Sequence, residues 1–195
     1  MGKAKEPRRV KLVIGMLAKN KKLFDIIEEF FVKKFGDIDY RSPVFPFVHT
    51  SYYKKEMGYP LKRRFVSFKK LVSPDRIVNI KLIANSFEQK FTKKGKGSIK
   101  RQINIDPGYI SDSKLILATT KDYFHRIYLN KGIYAEVTLS WKNGSFQSFH
   151  WTYPDYRTRE YINILNNIRN DYMKERKQCK ISQKYTQNKN INSGL

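Results

Sequence analysis

The sequence predicts an α+β fold, with a ferredoxin-like βαββαβ first part followed by a short helix, two β-hairpins and a C-terminal helix. Three observations lead there. Apolar residues recur at helical spacing in three separate windows, at 23–35, 77–91 and 161–172. Extended runs flank the first two windows, giving the order β-α-β-β-α-β of a split βαβ unit. In the second half, Asn130-Lys131-Gly132 and Asn143-Gly144 are hairpin turns, each followed by a strand-like run.

The elements follow in order. Residues 10–17 form an apolar first strand interrupted only by Lys11. Asn20 caps a helix that Gly36 ends, with Leu23, Ile26, Ile27, Phe30, Phe31 and Phe35 inward and Glu28, Glu29, Lys33 and Lys34 outward. A second extended stretch, 38–47, is broken by Pro43 and Pro46. An aromatic and charged loop covers 49–62. The third strand, 64–72, sets Phe65 and Ser67 against Val66 and Phe68. Ser73-Pro74-Asp75 reads as a capped helix start, and Ile77, Ile80, Ala84, Phe87 and Phe91 are its buried stripe. Residues 93–97 read as a flexible basic loop, 101–106 as a fourth strand and 106–109 as a turn. A short helix is expected over 111–119, strands over 124–129, 133–141 and 145–151, and the last helix over 158–174.

The length of 195 residues suits one domain over 1–175, with a disordered polar and basic tail over 176–195. No apolar run reaches the roughly 18 residues a membrane helix needs. A single cysteine, Cys179, excludes an internal disulfide framework and a cysteine-rich zinc site, and fits a cytoplasmic protein. The net charge is +23. It reads as an electrostatic footprint for RNA or another polyanion, or as composition: Lys outnumbers Arg 28 to 12, although Arg is the better phosphate fork.

No P-loop, GxGxxG, HExxH or GxSxG motif occurs. Gly95-Lys96-Gly97-Ser98 lacks P-loop spacing and reads as a surface loop. His150-Trp151-Thr152 has the HxT form used twice by two-histidine phosphoesterases, but neither His49 nor His125 begins a second copy. The turn at 130–132 sets Arg126 opposite Glu136 and Tyr128 opposite Tyr134, and the Asn143-Gly144 turn sets Trp151 opposite Glu136. One face then carries Arg126, Tyr128, Tyr134, Glu136, Thr138 and Trp151. The other, with Ile127, Leu129, Ile133, Ala135, Val137 and Leu139, is expected to be core. His125 and His150 flank Val137 on that apolar face, and no third ligand completes a metal set. The polar face reads either as a solvated surface with an ion pair or as a pocket floor where arginine meets an anion and glutamate handles a proton. Two further clusters interleave rings with charge: Tyr52, Tyr53, Lys54, Lys55, Glu56, Lys62, Arg63 and Arg64; and Tyr153-Pro154-Asp155-Tyr156-Arg157.

Several long runs resemble a known family. They are residues 2–7 (GKAKEP), 61–68 (LKRRFVSF), 104–109 (NIDPGY), 117–129 (LATTKDYFHRIYL), 132–139 (GIYAEVTL) and 151–157 (WTYPDYR). Together they are similar to the bacterial domain-of-unknown-function family 4416, over residues 1–169. The resemblance implies little about activity, since the family is uncharacterised, and leaves the cofactor open. Its runs coincide with the charged clusters Arg63, Asp106, Lys121, His125-Arg126, Glu136 and 153–157.

The expected function is binding of a phosphate-bearing small molecule or nucleotide in a polar, aromatic-lined pocket, with acid–base chemistry open. Glu136, Asp106 and His125 are the candidate acid–base groups. Arg63, Lys121, Arg126, Tyr128, Tyr134, Trp151, Asp155 and Arg157 are the candidate ligand contacts. An RNA-binding module and a protein–protein adaptor are the alternatives. No membrane partner is expected.

Overall fold

The computed structural model describes residues 2–48, 50, 53–95 and 98–192, with side chains left out at 54–55, 93–95, 98–99 and 179–192. His49, Tyr52 and the 96–97 tip of the expected glycine loop lie outside the described residues.

The first strand, β1 (Lys11–Ala18), is buried along its whole length. Helix α1 (Lys21–Phe35) follows, capped by Asn20, whose side chain accepts from the Lys22 amide, and closed by Gly36 at φ 89°. The 38–47 stretch becomes β2 (Ile38–Arg41) and β3 (Phe45–Phe47), with the prolines at and after the break. After a one-turn helix, α2 (Lys54–Met57), comes β4 (Leu61–Phe68), three residues earlier than expected. A 3₁₀ turn at Pro74–Arg76 leads into α3 (Ile77–Lys90). Ser73 makes no capping bond there; its hydroxyl turns to Asp75.

Strands β1, β2 and β4 join β7 (Ile103–Ile110), β8 (Lys114–Thr119), β10 (Ile133–Lys142) and β11 (Ser145–Ser148) in one antiparallel sheet, in the order β11-β10-β8-β7-β1-β4-β2. Strand β3 pairs with β4, and β9 (Arg126–Asn130) with β10. A separate two-stranded sheet, β5 (Thr92–Gly95) paired with β6 (Ser98–Arg101), includes residues 93–95 of the loop expected at 93–97. The last helix, α4 (Arg159–Asn192), runs well past residue 174. Its buried side chains among those described end at Tyr172.

The sheet is covered on both faces. Leu12, Ile14, Met16 and Ala18 of β1 pack against α1 and α3. Val13 and the neighbouring Phe65 pack against Tyr161, Ile164, Leu165 and Ile168 of α4. The helix residue Glu28 departs from its outward expectation: it is buried, paired with Arg64 and Arg41. Ile26, expected inward, is exposed.

Two expectations fail inside the sheet. Residues 114–119 form a strand, not a helix, because the run Leu115–Ala118 is buried between β7 and β10 and four apolar residues carry no period. Asp106-Pro107-Gly108-Tyr109 is the middle of β7, not a turn. Pro107 sits just beyond the β7–β8 ladder, which covers only Gly108–Ile110 against Leu115–Leu117. Gly108 is required by close approach: a Cβ there would lie 2.3 Å from the Ile116 carbonyl oxygen.

In β10 the ladder to β8 shifts between Val137 and Leu139. The extra residue reverses the alternation, so Leu139 joins Glu136 and Thr138 on the buried α4 side. The face expected to be core is correspondingly incomplete. Ile133 is buried against α3, but Ile127 and Leu129 are exposed, because β9 lies at the sheet margin beyond the reach of α3.

Candidate functional site

The short β7–β8 ladder creates the site. β1 pairs with β7 from Ile103 to Ile110, and β10 pairs with β8 as far as Thr119. Between Ile103–Pro107 and Ala118–Thr119, however, the two middle strands part. The backbone of Ile105 is satisfied across this gap by α3 rather than by β8. Its amide donates to Glu88 at 2.5 Å and its carbonyl accepts from Lys81 Nζ at 2.9 Å. A cavity of about 370 Å³ opens at the split, lined by strand ends, Lys81 and the 153–156 segment.

Arg63 of β4 organises one wall. Its guanidinium is buried and donates to Tyr161 Oη at 3.1 Å, Asp106 Oδ2 at 3.0 Å and Asp155 Oδ2 at 2.9 Å. Phe47, Phe65, Tyr156 and Tyr161 surround it, with ring centroids 5.2–5.9 Å from Cζ. Gly15, opposite Asp106 on β1, makes this arrangement fit. A Cβ there would lie 3.0 Å from Phe65, 3.1 Å from Arg63 Nη1 and 3.2 Å from Tyr156 Oη. Burial alone would lower the Arg63 pKa, but the surrounding Tyr161, Tyr156, Asp106 and Asp155 raise it well above the usual arginine value. Burial would raise Asp106, yet Arg63, Lys81 and the amide of Asn104 hold it below the ordinary carboxylate range.

Glu136 of β10 organises the other wall. It accepts from Arg126 Nε at 3.0 Å and from Thr138 Oγ1 at 3.2 Å, and lies 3.1 Å from His125 Nε2. Arg126 also donates to the Lys121 carbonyl and to the Tyr153 hydroxyl. Burial, with the Glu136 charge nearby, pushes the Tyr153 hydroxyl up to about 12.

Two polar groups at the cavity are under-used. Lys81 is almost fully buried, and its one hydrogen bond is to the Ile105 carbonyl; no carboxylate is within ion-pair distance among the described residues. The Tyr156 hydroxyl is buried with no partner among the described residues. Each has unspent donor capacity in a place where lost solvation is costly.

Residues 8–172 match the family described as Domain of unknown function (DUF4416). The chain belongs to that family. No curated protein and no solved structure matches it. Every residue lining the cavity falls inside the DUF4416 region.

Within that DUF4416 region the expected site residues divide. Arg63, Asp106, Lys121, Glu136 and Asp155 line the cavity together. His125 and Arg126 stand behind Glu136 as its partners. His125 thus departs from the apolar face, and its ring stacks on Trp151 at 5.5 Å. Trp151 in turn donates to the Val137 carbonyl. Tyr128 and Tyr134 meet edge-to-face outside the cavity. Arg157 donates to the carbonyls of Thr152 and His150 and serves the turn. The HxT threonine is likewise structural: Thr152 bonds to Thr138 and Phe149, while His150 is exposed. Among the described residues no group of three potential metal ligands occurs. Lys81, Asn104, Gly15 and Tyr161 were not legible as site residues. Lys81 is one of 28 lysines in the chain, on an amphipathic helix, and only the strand split places it at the cavity.

Proposed function

We propose that this protein binds a phosphate-bearing small molecule of nucleotide size in the cavity between β7 and β8. The observation that carries the reading is Lys81, a buried ammonium whose one hydrogen bond leaves donors for an anion at the cavity wall. The Tyr156 hydroxyl supplies a second donor, without a partner among the described residues. Phe47, Tyr53, Tyr153 and Tyr156 give the cavity aromatic walls suited to a planar group.

Arg63 is not the anion's partner in this reading. Each guanidinium nitrogen is already engaged, with Tyr161, Asp106 and Asp155, so it holds the wall and orients the carboxylates. Any acid–base step falls to Asp106. Its side chain is 26% exposed, against 8% for Asp155 and 2% for Glu136. Its lowered pKa makes it an ionised carboxylate at neutral pH, hence an orienting acceptor and only a weak base.

The strand order β7-β1-β4-β2, with α1 and α3 on one face, supports reading the first part as a ferredoxin-like unit extended by β8, β10, β9 and β11. That no described helix is long and apolar enough to cross a membrane is compatible with a cytoplasmic small-molecule binder.

The test is thermal unfolding with inorganic phosphate and with each nucleoside monophosphate, on wild type and Lys81→Met. At a hundred times Kd a ligand stabilises by about 2.7 kcal/mol, which for a domain of this size is a rise of roughly 5–10 °C in Tm. Wild type is expected to show such a shift for a phosphate ester, and Lys81→Met none. Equal shifts in both proteins would remove Lys81 from the site.

A further inference from the structure

Beyond the cavity mouth runs a ridge of rings that the pocket does not use. Phe124 is 73% exposed and Tyr123 60%, side by side at 5.1 Å, and Tyr128, 57% exposed, follows on β9 against Tyr134 at the sheet margin. The ridge is continuous with the mouth. Tyr153, itself exposed, lines the cavity and is bonded to Arg126. Arg126 follows His125, whose ring contacts both Tyr123 and Phe124 at about 5 Å. Phe124 also lies parallel to exposed His150. The ridge is rigid from beneath: His125 stacks on Trp151, and Trp151 stacks on Phe149 at 4.6 Å.

Cations accompany the rings. Lys121, Lys131 and Arg157 are exposed around them, with Asp122 the acid in the 121–134 segment that faces solvent. The chain as a whole carries +23. Large exposed rings are unusual on a surface. Rings interleaved with cations suit bases that stack and phosphodiesters that run between them. An acidic partner protein would need only the charge and would leave the ring faces idle.

We infer that the 123–128 ridge is a stacking platform for single-stranded nucleic acid, with Lys121 and Arg157 contacting its phosphodiesters. Double-stranded nucleic acid hides its base faces and fits the platform poorly. RNA and DNA share the recognised chemistry, and the 2′-hydroxyl distinguishes them. The inference is separable from the cavity reading: Lys121 lines the cavity as well, but the rings lie outside it and Lys81 takes no part.

The experiment is fluorescence anisotropy with labelled single-stranded oligouridine and oligodeoxythymidine and with a duplex of matched length, at 50 and 150 mM salt. Wild type is expected to bind at least one single strand at 150 mM salt, and more tightly than the duplex. Phe124→Ala and Tyr128→Ala are each expected to weaken single-strand binding by about 5- to 100-fold, the loss of one stacked base. Their salt slopes are expected to stay as in wild type, because no phosphate contact is lost. Both rings are exposed, so unchanged Tm values show that the variants fold. Lys81→Met is expected to bind the oligonucleotide as wild type does. Equal binding by wild type and the ring variants, or equal affinity for duplex and single strand, would overturn the platform. Concentration-dependent dimerisation abolished by the ring variants, without single-strand binding, would also overturn it and assign the exposed edge, with Ile127 and Leu129, to a second copy of the chain.

Discussion

Replacing Arg63 by Met is the sharpest probe of how the site is built. The methionine keeps an apolar stem inside the cage of Phe47, Phe65, Tyr156 and Tyr161 but removes the guanidinium. Two ion pairs vanish. The one to Asp155 is buried on both sides; the one to Asp106 is partly open, and Asp106 keeps the Asn104 amide. Breaking a buried pair from one side costs about 3–5 kcal/mol, because the orphaned charge stays buried. The Asp155 term therefore dominates, and we expect a loss of about 3–5 kcal/mol against a typical total of about 5–15. Removing both partners relieves the orphan, so Arg63→Met with Asp155→Asn should recover at least about 2 kcal/mol of that loss. Urea unfolding followed by the fluorescence of Trp141 and Trp151 gives these numbers. The same titration over pH adds a sign. Asp106 has a lowered pKa in the fold, so it contributes stability above its ordinary value of 3.8 that is lost as pH falls through the lower folded value. Without Arg63 that contribution shrinks, and the stability curve below about pH 4 should flatten. A single-variant loss below about 1 kcal/mol, or a double variant as unstable as the sum of its parts, would refute the reasoning.

Other outcomes follow from the same geometry. Gly15→Ala pushes a methyl against Phe65, Arg63 and Tyr156, and should destabilise by about 1–3 kcal/mol in thermal unfolding. Glu136→Gln leaves Arg126 without its carboxylate, and should cost about 2–4 kcal/mol by urea unfolding. Residues past Arg176 place no described side chain in the core, so a chain ending at Arg176 should unfold within about 2 °C of the full chain, roughly the effect of half a kcal/mol.

Much of the site was legible in the sequence, for reasons that can be named. Asn143-Gly144 forms a hairpin turn with both residues at positive φ, as its chemistry requires. The turn at 130–132 set the Arg126–Glu136 pair correctly, although the left-handed residues are Lys131 and Gly132 and the register slips by one at Ile133. The bulge between Val137 and Leu139 left no mark in the pattern, so the buried face of β10 was misassigned beyond it. The run Leu115–Ala118 was too short to show a period, and Pro107-Gly108 carries the residues of a turn while serving a strand. Lys81 was hidden for a different reason. Its role depends on where β7 and β8 separate, a non-local fact that no local run of residues encodes.

A crystal structure of the protein grown with the nucleoside monophosphate that most raises its Tm tests the central claim directly. Phosphate density is expected in the β7–β8 cavity within hydrogen-bond distance of Lys81 Nζ, with the planar group against Tyr53 or Tyr153. Ligand bound elsewhere, or a cavity holding only water at saturating ligand, would contradict it.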